Sequence, residues 1–498
     1  GDADNLAGPW SAARTFNLAA AAPSLIAPAN AATVAPTTLL FTWGGVAGAV
    51  QYRLEVAAAC TFSPLLTSQV TVMTSWAPTA AYANGTYCWR VRALDAAGNV
   101  ISTSANRTFS IGTPPPPPPT STTYVPVDPV RLLDSRFGNG LAGMFIASTA
   151  RSVTIAGRLG IPNDAVAITG NLTVVGQQAA GYLSVTPTPN NNPSTSALNF
   201  PLGDTRANNV TTPLSNDGKV SIVYKAAAGK RTHVLLDVTG YFLENNAGAT
   251  YHALTPVRLL DSRFANGLTG AFPAHTVRTF DVAGRGGVPA AAKAVTGNLT
   301  VVSQTAAGYV TLGPVLADNP STSTINFPAG DTRANGITVR LASDGSLSAI
   351  YIAPLGRSTH LIFDVTGYYL QDLTGAKFVP LAPARLLDSR FGTGLSGAFS
   401  ANVARTLDVE GNVGVPTAAV AISGNLTVVN QTAAGYVSMT QATTNTPTTS
   451  TINFPVGDVR ANGVTGPTSG AGNVGLVYKA PNGRTAHLIL DVTGYFAP

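Results

Sequence analysis

Apolar and polar residues alternate along much of the chain. In VAITGNLTVV, Val166, Ile168, Leu172 and Val174 fall on one side and Thr169, Asn171 and Thr173 on the other. In GYLSVTP, Leu183 and Val185 oppose Tyr182, Ser184 and Thr186, and in THVLLDVTGYF the apolar side is Val234, Leu236 and Val238. A period of two is that of a β-strand with one face buried. NDGK at 216–219 and SDGS at 343–346 carry the Asp-Gly signal of a hairpin turn. Half-buried strands joined by tight turns predict antiparallel sheets packed as a sandwich or jelly roll. The pattern is used three times: Asp134, Asp261 and Asp388 lie 127 residues apart, and so do Asp237, Asp364 and Asp491. That unit is longer than a solenoid repeat, so each copy is expected to be a module with its own core, at 124–244, 250–371 and 377–498. Connections such as LENNAGA at 243–249 are short, so neighbouring modules should touch.

Residues 24–112 read as a separate β-sandwich. LLFTW ends a strand at Trp43, QYRLEVA puts Tyr52, Leu54 and Val56 on one face, and GTYCWRVRALD does the same with Tyr87, Trp89 and Val91. NRTFSI at 106–111 reads as the closing strand. These stretches resemble a fibronectin type III domain over about ninety residues. Residues 2–18 look like residues 95–111, with Arg14-Thr15-Phe16 matching Arg107-Thr108-Phe109 at an offset of 93. Residues 1–18 are therefore expected to be the last strand of a preceding domain of the same kind, and the chain a fragment of a longer protein. A lone strand cannot bury its apolar face unaided, so residues 9–18 are a candidate for pairing with a neighbouring domain or subunit. Residues 113–123 form a linker whose Pro114–Pro119 run predicts polyproline II, a stiff spacer of about 3.1 Å per residue. The third copy ends in DVTGYFAP, which suggests a true C-terminus.

Composition fits this all-β reading. Charged residues make up only 10% of the chain, against 45% hydrophobic, leaving little material for surface helices. The net charge of +6 is spread without a Lys/Arg run, which argues against a nucleic-acid partner. No stretch of about 18 apolar residues exists, so no membrane span is expected. The two cysteines, Cys60 and Cys88, are expected to pair in a secreted domain, adding roughly 3–4 kcal/mol in the chain-entropy model. The alternative is two reduced thiols in a cytosolic protein.

The three copies resemble a module found in tandem in secreted and surface proteins of actinobacteria and related bacteria. The resemblance rests on PxRLLDxR (Pro129–Arg136), Ile161-Pro162 with Val288-Pro289 and Val415-Pro416, NxTV (Asn171–Val174), Leu198–Phe200 and DVxGYF (Asp237–Phe242). It covers about three quarters of the chain. GIP stands for GVP in the first copy, and DSR replaces the commoner DTR. The resemblance implies an extracellular all-β module, sometimes appended to cell-wall enzymes, with no established catalytic activity.

Few charged residues recur in all three copies. Arg131, Asp134, Arg136, Arg151, Asp204, Arg206 and Asp237 are followed by Arg258, Asp261, Arg263, Arg278, Asp331, Arg333 and Asp364, then by Arg385, Asp388, Arg390, Arg405, Asp458, Arg460 and Asp491. Arginine pairs bidentately with carboxylates and keeps donors for backbone carbonyls. In so uncharged a chain these residues are expected to form internal ion pairs that pin long loops to each sandwich. His233, His360 and His487 precede the DVTGY Asp by four residues, about 13 Å along a strand, too far for a His–Asp dyad. No nucleophile–base set, metal cluster or phosphate loop stands out, so no catalytic residue, metal or cofactor is expected. The sequons at Asn171, Asn298 and Asn425 lie inside predicted strands and are read as strand residues. Tyr182, Tyr309 and Tyr436, on the polar side of the GYxSxT strand, are the candidates for ligand stacking or for a module or subunit interface.

The expectation is a fibronectin type III-like sandwich followed by three antiparallel β-sandwich or jelly-roll-like modules, with no enzymatic activity. Its function would be that of an extracellular structural or adhesive surface protein, a rod, fibre or sheath component with tandem binding faces. Its partners would be further copies or other surface proteins. The alternative is a carbohydrate- or cell-wall-binding appendage of a larger secreted enzyme.

Overall fold

A computed structural model describes residues 21–34, 39–78, 80, 82–111 and 122–498. The expected strand at 1–18, with its proposed pairing, and the Pro114–Pro119 run lie outside the described residues. The chain divides into two compact units, Gly1–Pro117 and Pro118–Pro498.

The first unit is a β-sandwich. Its strands are β1 (Leu25–Ala27), β2 (Ala32–Val34), β3 (Phe41–Trp43), β4 (Gln51–Ala57), β5 (Thr67–Thr71), β6 (Ser75–Trp76), β7 (Gly85–Leu94), β8 (Val100–Thr103) and β9 (Arg107–Ile111). One sheet runs β1-β3-β6 and the other β2-β9-β7-β4-β5, with β8 on β7. The alternation seen in the sequence sets the core: Tyr52, Leu54 and Val56 meet Tyr87, Trp89 and Val91 between the sheets. On the opposite face of the same strands, Glu55 is buried and paired with Arg90 (2.6 Å) and Arg92 (3.1 Å). Cys60 and Cys88 form a disulfide.

The second unit holds the three copies. In the first copy the strands are β10 (Thr123–Asp134), β11 (Phe145–Ile146), β12 (Arg151–Thr154), β13 (Ala165–Val175), β14 (Gly181–Thr186), β15 (Leu198–Phe200), β16 (Arg206–Pro213), β17 (Lys219–Lys225) and β18 (Arg231–Leu243). One sheet has the order β10-β18-β13-β16, with the short β11 also on β18, and the facing sheet β12-β17-β14-β15. Setting β11 aside, the first strand pairs with the last and the second with the next to last, which is jelly-roll topology. The two other copies repeat this order, and each has its own core. The predicted apolar faces line these cores: Leu172, Val174, Leu183, Val185, Val234, Leu236 and Val238 all lie between the sheets of the first module.

The polar face of the β10-β18-β13-β16 sheet does not meet water. Thr169, Asn171 and Thr173 are buried, as is nearly all of β16, RANNVTTP. This face packs against the two other modules. The expected line of modules is therefore replaced by a closed ring with a pseudo-threefold axis. The segment before each module stitches the ring: Ala249 bridges to Tyr124, Ala376 to Tyr251, and Thr122 to Phe378. The first two junctions are covalently continuous, while the third closes the ring between its ends. Thr122 and Thr123, placed in the linker by sequence, belong to this fold.

Candidate functional site

Strand register stacks three layers along the axis. Val174 of β13 pairs with Arg206 of β16 near one end, Asn171 with Asn209 in the middle, and Ala167 with Phe242 of β18 near the other. Each layer takes one residue set from every module.

The first layer is a ring of six charges. Arg206 Nη2 donates to Asp204 Oδ2 (2.6 Å) in its own module and to Asp458 Oδ2 (2.8 Å) in the third. Arg333 does the same with Asp331 (2.6 Å) and Asp204 (2.7 Å), and Arg460 with Asp458 (2.6 Å) and Asp331 (2.8 Å). Each guanidinium also donates to a carbonyl of its own module, those of Asn199, Asn326 and Asn453. The arginine side chains are only 3% exposed, so the ring is desolvated and needs its full set of partners. Burial alone would raise the Asp204 carboxyl, but Arg333 and Arg206 outweigh it and hold it below its ordinary range. The expected ion pairs at these six positions thus exist, but half of their bonds join modules instead of pinning loops within one.

The middle layer is a network of amides. Asn335 Nδ2 donates to Asn171 Oδ1 (2.9 Å), Asn462 to Asn298 (2.9 Å) and Asn208 to Asn425 (2.8 Å), each across a module boundary. The Asn171, Asn298 and Asn425 amides donate in turn to the carbonyls of Ser323, Ser450 and Ser196. The sequon asparagines are therefore strand residues, as expected, and are occupied at interfaces. Asn208, Asn335 and Asn462 were not foreseen. Their signal was the repeated RAN and the lack of apolar alternation in β16, which marks a strand buried against polar partners. At the axis itself stand Asn209, Gly336 and Gly463. A methyl on Gly336 would run into the Gly463 carbonyl, and one on Gly463 into the Asn209 carbonyl.

The third layer is aromatic. Tyr124, Tyr369, Tyr251, Phe496, Phe378 and Phe242 form a closed circuit, neighbouring ring centroids lying 4.2–5.4 Å apart. Room for it comes from the glycine of DVTGY, since a Cβ at Gly240 would overlap the Tyr124 ring and one at Gly367 the Tyr251 ring.

RLLDSRF lies at the charged end. Leu132 and Leu133 are buried in the core. Arg131 grips Asp237 through two bonds of 2.8 and 2.9 Å, and Arg136 grips Asp134 through two of 2.9 and 2.7 Å. Modules two and three repeat both grips, with Arg258 on Asp364, Arg263 on Asp261, Arg385 on Asp491 and Arg390 on Asp388. Burial would raise Asp134 and Asp261, but bonds from Arg136 and Arg263 outweigh it; for Asp388 the Arg390 bonds dominate outright, and all three carboxyls sit below their ordinary value. These twelve residues are the expected fasteners within modules. The motif ends differently. Phe137, Phe264 and Phe391 are 81%, 75% and 79% exposed, each beneath the guanidinium of the preceding arginine at 5.1, 4.9 and 5.0 Å.

An open cavity of about 1270 Å³ occupies the axis at this same end. The six ring charges line it together with Tyr182, Tyr436, Asn199 and Asn453. The three candidate tyrosines are half-buried at module boundaries. Burial raises each phenol, while a guanidinium of an adjacent module pulls the other way: Arg385 on Tyr182, Arg131 on Tyr309 and Arg258 on Tyr436.

The histidines are held by serines. Ser135 Oγ accepts the Val234 N–H at 3.0 Å and shares a hydrogen bond of 3.0 Å with His233 Nδ1. The two other copies repeat this with His360 and His487 at 2.9 Å. The serine is buried, and its two bonds tie the RLLDSRF turn to β18. Among the described residues no group of three His, Cys, Asp or Glu side chains could hold a metal.

No protein-family model and no curated protein matches the chain. Among solved structures, an α-L-rhamnosidase of Streptomyces avermitilis aligns with 95% of this chain and 57% of its own, at 10% identity and a TM-score of 0.18. A second, from Dictyoglumus thermophilum, aligns with 79% of this chain and 50% of its own, at 7% identity and a TM-score of 0.18. A structure of Sulfolobus Turreted Icosahedral Virus aligns with 75% of this chain and 91% of its own, at 11% identity and a TM-score of 0.13. The chain thus spans little more than half the length of the two rhamnosidases, and likenesses this slight bear on no function.

Proposed function

We propose that this protein is a non-catalytic, extracellular surface protein of structural or adhesive type, in which the three-module unit acts as a rigid multivalent head. The observation that carries this reading is where the repeated chemistry goes. The recurring carboxylates and most guanidinium donors are spent on fastening modules or joining them, and the buried asparagines on sealing the axis. Among what the ring exposes is one end that bears the same features three times. Repetition on a rigid frame supports avidity for a repetitive partner. The disulfide is in keeping with an oxidising compartment.

The test is retention on bacterial envelopes. Labelled full-length protein should sediment with isolated cell envelopes and be released by competing unlabelled protein, while showing no glycosidase or peptidase turnover on them. Failure to sediment, together with no ordered assembly by electron microscopy, would reject the reading. Turnover abolished by one point substitution would make the protein an enzyme instead.

A further inference from the structure

The exposed phenylalanines ask for an explanation. Each closes RLLDSRF, each is three-quarters or more exposed, and none belongs to a core. Each is nevertheless held in place. The turn is pinned by the Phe137 N–H on the Asp134 carbonyl (3.2 Å), and Asn139 Nδ2 ties it to the Arg131 carbonyl (2.7 Å). Arg136 covers the ring while its own Nε and Nη2 are clamped on Asp134. An exposed apolar ring built this rigidly costs little entropy when something stacks on it.

The charge left unpaired around these tips has one sign. Register brings Asp134, Asp204 and their equivalents to this end, and all six are engaged by guanidiniums. Nη1 of Arg136, Arg263 and Arg390 has no protein partner among the described residues, and exposed cations stand at the adjoining turn: Lys230 and Arg231, Arg357, and Arg484. Ile146 pairs with Arg231 in register, which places that turn beside β11, the strand that follows the tip loop. The face is thus aromatic, donor-rich and cationic, three times over. A second copy meeting it face to face would bring like charges together. A nucleic acid would want a continuous basic groove, and here the rings stand apart on separate modules.

We propose that this end of the ring binds an acidic polysaccharide whose sugars carry carboxylates. A sugar's C–H face stacks on each phenylalanine, and its carboxylate accepts from the free edge of the neighbouring guanidinium. The three tips act together on one polymer. This rests on the surface-protein reading above and supplies its ligand class.

The test uses the full chain and its F137A/F264A/F391A variant, with polygalacturonate and neutral dextran as probes in affinity electrophoresis. The wild type should be retarded by polygalacturonate and not by dextran, less so at higher salt. The triple variant should bind about a hundredfold more weakly and melt at the wild-type temperature, and F137A alone should lie between. The inference is overturned by no retardation, by equal retardation in dextran, or by a folded triple variant that binds as the wild type does. It is equally overturned if the tips are needed for single-stranded DNA binding of similar strength, or if the triple substitution dissolves a dimer. Envelope retention that survives the triple substitution would sink this ligand assignment while leaving the surface-protein reading intact.

Discussion

At the scale of residues, the same ion-pair chemistry has two different consequences. Arg333 is almost fully buried and bridges Asp204 and Asp331 of two modules. Arg333→Ala would leave two partly buried carboxylates short of partners, so we expect a loss of about 3 kcal/mol by chemical denaturation. Arg136 is about a third exposed and serves Asp134 alone. Arg136→Ala should cost less, about 1–3 kcal/mol. Acid should act through the same groups. Asp134, Asp261 and Asp388 have folded values below the ordinary 3.8, so their stabilisation is complete above that value and is lost as pH falls through the folded values. Melting temperature should therefore drop below about pH 4, and D134N/D261N/D388N should flatten that drop while lowering stability at pH 7.

At the scale of elements, β16 and its equivalents decide the assembly. The strand RANNVTTP is buried on both faces, one by its own core and one by neighbouring modules. Its centre approaches the axis so closely that only one of three equivalent positions, Asn209, carries a side chain. Gly463→Ala should push the strands apart and cost about 1–3 kcal/mol, the range for overpacking. Gly470→Ala, which meets nothing within 4 Å, should change stability by no more than about 0.5 kcal/mol. Denaturation midpoints of the two variants provide the comparison. Strand existence was legible from alternation, and the disulfide from the two cysteines. The function of the polar face was not, because alternation says which side is apolar and not what covers the other. Polar residues read as solvent-facing, such as Thr169 and Thr173, are covered by neighbouring protein instead.

At the scale of the whole unit, three cores are joined by three polar or aromatic layers. Breaking one module away would sever two of the three ion pairs that join modules and open the aromatic circuit at once. The unit should therefore unfold in one transition whose calorimetric and van't Hoff enthalpies agree for all three modules together, and not as three separable steps. Agreement with the enthalpy of one module alone would show that the layers couple them weakly. Closure also has a functional consequence, since it turns three tandem tips toward one end of a single body.

The sequence by itself determined the class of the fold, its threefold repeat, and the charged residues that pair inside each module. These follow from short-range physics: strand period, turn chemistry, and charges too scarce to leave unpaired. Only the tertiary structure decided that Asp204 and Arg206 reach into different modules, that Asn208 meets Asn425, and that Phe137 points out while Leu132 and Leu133 point in. Partners more than 200 residues apart, as Arg206 and Asp458 are, leave no trace in local pattern. In a triplicated chain the same residues could join copies in a line or in a ring, and the ring is closed by contacts between its two ends, Thr122 with Phe378 and Arg206 with Asp458.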